Sequence, residues 1–396
     1  MKSRRVRLSD IAELTVGFVG NMAKQYKDEG VKFLRSLNIK PFSIVEDDLK
    51  YISREFNESL RKSILHENDL IIVRTGIPGT CCVVSKDYEG CNCADVVLVR
   101  PNLQVVNPHY LAAYINVWGK KQVENNKVGA IQKHFNVKSA EEMLIDLPDL
   151  ESQNKVAKIL CDLNDKIISN EKINDYLEEM AKTIYDYWFV QFDFPNENGK
   201  SYKSSGGALL YNEVLKKEIP FGWTIDTLGN LLSKVPNSTK IPAIDFYDKG
   251  SIPVIDQSSD FIAGYTDDET SVLYNKTGYI VFGDHTRVVK YIRFPFARGA
   301  DGTQIINSNT RCMPNELFYQ VIKSIDLSNY GYARHFKYLK DTIIVIPSAN
   351  LADIYAEKVG KWYENQVSII KENNALSQLR DWLLPMLMNG QATIED

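Results

Sequence analysis

The chain holds 396 residues, 44% hydrophobic and 25% charged, which is too long for one ordinary domain and too apolar for a disordered one. Its formal net charge of −4 excludes a uniformly basic, phosphate-coating protein, so any nucleic-acid contact has to come from local Lys and Arg clusters. Asp10 and Glu13 interrupt the start before an apolar signal core builds up, and no 18-residue apolar run follows; no secretory or membrane segment is read, and a cytoplasmic location is expected.

In chain order, the segment Val6 to Ile11 (VRLSDI) leads into a stretch rich in short strands. Leu70 to Val73 (LIIV) reads as a buried strand and is followed by Arg74, Thr75 and Gly76. Cys81, Cys82, Cys91 and Cys93 crowd the next stretch. Adjacent Cys81 and Cys82 point to opposite faces of a strand, and no CxxC spacing occurs. Reduced cysteines packed as small apolar residues are therefore preferred over a metal site. Lys133, His134 and Phe135 precede an apolar strand that ends at Pro148.

A long helix follows, from about Glu151 to Phe189, with Asp149 as its cap candidate. Leu160, Leu163, Ile167, Asn170, Asn174, Leu177, Ala181, Ile184 and Trp188 recur at spacings of three and four, a coiled-coil seam. Residues 196–207 are polar and glycine-rich, and 191–217 is read as a linker.

The second half then repeats the first with a period of about 200 residues. Trp223 to Leu228 (WTIDTL) answers Val6 to Ile11, and Tyr279 to Phe282 (YIVF) with Gly283, Asp284 and His285 answers Leu70 to Gly76. Ala300 and Asp301 answer Ala94 and Asp95, and Arg334, His335 and Phe336 answer Lys133, His134 and Phe135. After Pro347 a second helix carries Val359, Trp362, Gln366, Ile369, Asn373, Leu376, Arg380, Leu383 and Leu387 on its seam, stopped by Asn389 and Gly390.

These signals predict an α+β architecture: mixed domains at 1–148 and 218–347, long helices at 149–190 and 348–389, the linker at 191–217 and a tail at 390–396. A helix of about 40 residues is about 60 Å long, and the linker is too short for comfort to run back that far. The helices are therefore expected to form an antiparallel coiled coil with an approximate two-fold axis, the symmetry that a DNA duplex offers to paired readers.

Tyr187 to Asp193 (YWFVQFD) at the end of the first helix, Ile219 to Trp223 (IPFGW) opening the second domain, and the proline-led helix closing each half resemble the specificity subunits of type I restriction-modification systems. The resemblance covers nearly the whole chain. The family's Glu-Gln pair at each helix entrance is loosened here at Leu150–Gln153 and more so at Asn350–Asp353. The resemblance implies two target-recognition domains on double-stranded DNA, no catalytic residues on this chain, and two modification (methyltransferase) subunits docked on the helices, with restriction/translocase subunits joining through them. S-adenosylmethionine, ATP and magnesium are expected on those partners and no cofactor or metal on this chain.

For contact with bases and phosphates the polar ends of matched segments are the candidates. In the first half these are Arg35, Asn38, Arg74, Thr75, Lys133 and His134. In the second they are Gln257, Ser258, His285, Arg287, Lys290, Arg334, His335 and Lys337. On the seam, an antiparallel register placing Asn170 against Asn373 also brings Asn174 to Ile369, Ile167 to Leu376, Leu177 to Gln366 and Ala181 to Trp362. The alternative has the two amides at a wet edge or on a partner. The aromatic run Tyr185 to Phe194 is read either as a docking surface or as buried against the second domain. Two competing functions are a divergent nuclease using Asp284 and His285, against which the lack of a companion histidine motif stands, and a coiled-coil assembly scaffold.

Overall fold

The computed structural model describes residues 3–119, 122, 135–331, 334–388 and 391, and within them the chain divides into two compact units. One comprises Met1–Ser169 with Asn373–Asp396; the other is the continuous stretch Asn170–Glu372. The division falls inside the long helices rather than at their ends.

In the first unit the unbroken apolar runs become inner strands. Leu70–Val73 and Val96–Pro101 pair antiparallel, flanked by Cys81–Val83 and Ala12–Val16. The segments Leu70–Ile72 and Val96–Val99 are fully buried, as strands covered on both faces must be. Cys81 and Cys82 enter two different cores, one on each face of the sheet. All four clustered cysteines are buried and free; burial pushes the Cys93 thiol up to about 12. A smaller sheet runs Val31–Leu34 between Lys50–Ile52, antiparallel, and Asn92–Cys93, parallel. The Arg4–Arg7 strand pairs with Leu144–Leu147.

The second unit repeats these relations. Tyr279–Gly283 lies between Val289–Ile292 and Thr303–Ile306, all antiparallel. Ile252–Ile255 pairs in parallel with Phe296–Gly299, as Val31–Leu34 does with Asn92–Cys93. Thr224–Thr227 pairs with Ile343–Ile346 as the first strand of the chain does with Leu144–Leu147. Asp95 and Asp301 share a left-handed backbone, at φ 53° and 52°. That conformation is tolerated by Asp far better than by most residues and is duplicated with the sequence.

Two helices, Leu150–Tyr185 and Ala349–Met388, complete these cores. In the first unit Val156, Ala157 and Leu160 of one helix and Leu384, Leu387 and Met388 of the other join the sheet residues in a single buried cluster. In the second unit Ala181, Tyr185 and Trp188 meet Leu351, Tyr355, Val359 and Tyr363 in the same way. In both units low numbers on one helix meet high numbers on the other, so the segments run antiparallel. The first helix ends in a wide π-turn over Asp186–Val190.

The segment expected to be a linker is in part a folded element. Leu209–Asn212 and Lys217–Pro220 form a hairpin. Ahead of it Phe194 stacks on Tyr202 and on Trp223, at ring-centroid distances of 4.5 and 5.3 Å. A few aromatic rings here replace the apolar run that a strand prediction looks for. The run Tyr185 to Phe194 is likewise mostly interior: Tyr185, Trp188, Phe192 and Phe194 lie in the second unit's core, while Tyr187 is exposed.

Asp149 caps the first helix, its carboxylate accepting from the Ser152 backbone N–H at 2.8 Å and from its hydroxyl at 2.9 Å. One turn in, Gln153 is fully buried. Its amide donates to the carbonyls of Val105 (3.2 Å) and Pro148 (2.9 Å), and its oxygen accepts from the Asn107 N–H (2.9 Å). Gln153→Met fills the same space and leaves three buried backbone groups unmatched. It should cost about 2 to 4 kcal/mol, read as a lower denaturant midpoint at unchanged slope.

Candidate nucleic-acid interface

Each unit carries a cleft at the same point of the repeated plan, beyond the end of its central buried strand. In the first, Arg35, Thr75, Gly76 and Asp95 line about 590 Å³ together with apolar Met22 and Ile77. In the second, Asp284, His285, Arg298, Asp301, Thr303 and Arg334 are among the residues lining about 370 Å³. The strand ends deliver these side chains because a strand buried on both faces can expose polar groups only where it stops.

The two clefts share a frame and differ in chemistry. In the first, Arg74 donates from Nε to the Phe135 carbonyl at 3.2 Å and meets Asp95 at 3.3 Å, while the Thr75 hydroxyl donates to Asp95 at 2.5 Å. In the second, the structural counterpart of the Arg74 contact is inverted: Asp284 accepts from the Phe336 N–H at 2.9 Å. This occupies the buried Asp284 carboxylate in holding the start of the His335–Asp341 helix. A nuclease acid-base role for Asp284 and His285 finds no support in that arrangement, and no metal-holding cluster of His, Cys, Asp or Glu occurs among the described residues.

Three candidate contacts are corrected. Asn38 is fully buried, its amide donating to the Val45 and Asp47 carbonyls at 3.0 Å each and its oxygen accepting from the Arg35 N–H at 3.1 Å. Its polar atoms close their own loop and face no ligand. Lys290 is 5% exposed. Its ammonium donates to the carbonyls of Asp256 (2.9 Å) and Asp260 (2.5 Å). Burial lowers its pKa, with the Asp256 and Asp260 charges opposing. It pins a loop. His335 is 2% exposed and packs at the base of its helix.

The remaining candidates divide by exposure. Arg287, Arg334 and Lys337 are exposed. Arg287 sits at a hairpin tip with φ 62°, held by its N–H to the Gly283 carbonyl at 2.8 Å. Gln257 braces the second cleft: its amide donates to the Asp301 carbonyl at 3.2 Å and its oxygen accepts from the His285 N–H at 3.1 Å. The Ser258 hydroxyl donates to Asp256 at 2.6 Å. Lys133 and His134 lie outside the described residues. Arg298 and Asp301, which line the second cleft, were not among the sequence candidates. The Ala94-Asp95 and Ala300-Asp301 match was the signal that could have found Asp301.

On the helix seam, the Asn170 amide donates to Glu372 at 2.8 Å and the Gln366 amide to the Asn174 carbonyl at 2.9 Å, both within the second unit. Within the first unit the Asn373 amide donates to the Ile167 carbonyl at 3.3 Å. Ala181, expected opposite Trp362, is fully buried and its carbonyl accepts the Tyr355 hydroxyl at 3.1 Å.

Residues 2–179 match the family model described as the type I restriction modification DNA specificity domain. Over 280 residues the chain is 27% identical to the type I restriction enzyme MjaIX specificity subunit of Methanocaldococcus jannaschii, a match covering 64% of this chain and 62% of that one. Over 382 residues it is 23% identical to the HindI specificity subunit of Haemophilus influenzae, covering 74% and 80%. The M. jannaschii relative is thus matched over less than two thirds of its length. The fold is that of the crystal structure of a type I restriction-modification S subunit from M. genitalium, with TM-score 0.55 at 12% identity over 97% of this chain and 96% of that one. A duplicated mixed domain on paired long helices is the architecture the two share. The chain is therefore similar in sequence to specificity subunits of type I restriction-modification systems and shares the fold of one of them.

The first cleft's rim supplies a pH-dependent contact. Arg35 and Lys50 donate to Asp48, at 2.8 and 2.6 Å, and hold its carboxyl down to about 2, the Arg35 contact first. A lowered folded-state pKa means that this contact's contribution is complete above the ordinary carboxylate range and is lost as pH falls toward about 2. Arg35→Ala should raise the Asp48 midpoint, still short of the ordinary value because Lys50 remains. Carboxyl-carbon NMR titration reads both.

Proposed function

We propose that this chain is the non-catalytic recognition subunit of a type I restriction-modification complex. Each mixed domain contacts one half of a split target in double-stranded DNA, and the helices dock two modification subunits, through which restriction/translocase subunits join. S-adenosylmethionine then belongs to the modification subunits, and ATP with magnesium to the restriction subunits. One observation carries the reading: the same cleft, with the same left-handed aspartate, occurs in both domains but is furnished with different polar side chains. A shared frame with divergent lining suits two readers of two different half-sites.

Exchange of residues 218–347 for the corresponding domain of a relative should alter one half of the methylated motif and leave the other intact, as read by mapping modified adenines. A change in both halves would overturn the assignment of one half-site to each domain. The purified chain alone should neither methylate nor cut DNA. Arg287→Ala, which removes an exposed cation without touching a core, should weaken DNA binding by about 1 to 3 kcal/mol if Arg287 meets a base edge, and less if it meets only a phosphate. Binding isotherms at two salt concentrations separate these.

A further inference from the structure

The second cleft holds charges that do not neutralise one another. Lys240 and Arg298 are neighbours across a parallel strand pair, and with Arg334 they line the same space as Asp301. No ion pair joins Asp301 to any of them, whereas its counterpart Asp95 is paired with Arg74 and bonded by Thr75. Arg298 is half-buried and its guanidinium is set in place by Nε donating to the Thr303 carbonyl at 2.8 Å, with Nη2 donating to the same oxygen. Burial, with no carboxylate opposing it, lowers its pKa. Thr303, 1% exposed, also lines the cleft, and its hydroxyl has no partner among the described residues. A fixed guanidinium, an unpaired carboxylate and an unmatched hydroxyl in one cleft form a set with both donors and an acceptor still to be used.

Resting on the reading that this cleft faces DNA, we propose that Arg298 and Asp301 read one G·C base pair in the half-site of the second domain, Arg298 donating to the guanine edge and Asp301 accepting from the cytosine amino group. The carboxylate is what separates this from a phosphate seat. An unpaired Asp301 repels the DNA backbone and becomes favourable only against an amino group, so it acts by rejecting other sequences as much as by binding the right one. The guanidinium suits the same task, because two of its nitrogens are already tied to a backbone carbonyl and its plane is fixed before a base edge arrives.

The test uses the full chain assembled with its modification subunits, and duplexes in which each base pair of the second half-site is changed in turn. Asp301→Asn and Arg298→Lys are compared with the parent, with thermal melting confirming the fold. Both variants should lose about tenfold or more in preference for G·C at one and the same position, and the modified-adenine map should become degenerate there. If Asp301→Asn tightens binding to every duplex equally, the carboxylate only repels, and the proposal fails. If Arg298→Lys keeps both affinity and motif, the cation meets a phosphate, and the proposal fails. If the parent complex shows no sequence preference in this half-site at all, the functional reading itself is wrong.

Discussion

Neither mixed domain closes its own core. In each unit the sheets leave an apolar side that is covered by one segment from each long helix, and the helices in turn bury their seams only by running antiparallel beside one another. The helix seam is thus a structural part of both domains. Buried side chains such as Leu160 and Leu384 in one unit, or Ala181 and Tyr355 in the other, belong to the coiled coil and to the domain at once. Polar groups on the seam find partners in the same way: Asn373 and Gln366 each spend an amide on a carbonyl of the facing helix. Such bonds fix an axial position where apolar contacts alone would tolerate sliding.

Duplication preserved the frame and released the chemistry. Pairing between strands, the aspartates at φ 53° and 52°, and the contact from strand end to the residues at Phe135 or Phe336 all recur. What fills the frame does not. The backbone at Phe135 is held by a donor, Arg74, and that at Phe336 by an acceptor, Asp284, because either sign can satisfy a peptide group, which carries both an N–H and a C=O. The frame can therefore hold cleft linings of opposite polarity without a change of fold.

Much of the architecture was legible in the sequence because periodicity is a property of many residues at once. The seam spacing, the Leu70–Val73 and Tyr279–Phe282 strands and the opposed faces of Cys81 and Cys82 all follow from it. Individual polar roles were not legible. Asn38 and Lys290 look like exposed readers in one dimension, and only the loops that close over them turn them inward. The ordered structure within and beside residues 191–217 escaped for a related reason: ahead of the hairpin it rests on contacts of Phe194 with Tyr202 and with Trp223, rings that no local periodicity joins. Arg298 did not stand out in the sequence, since its tether to Thr303 is a feature of the fold and not of local sequence.

The division of the chain also sets an order of events during synthesis. The second unit, Asn170–Glu372, is one unbroken stretch and has all its core residues once Tyr363 has left the ribosome. The first unit waits for Leu384, Leu387 and Met388, which emerge only after the whole of the second. Domains generally mature from the N-terminus onward as they emerge. Here the domain made first is the one finished last, and until then its sheet stands with an open apolar flank that nascent-chain chaperones would have to shield.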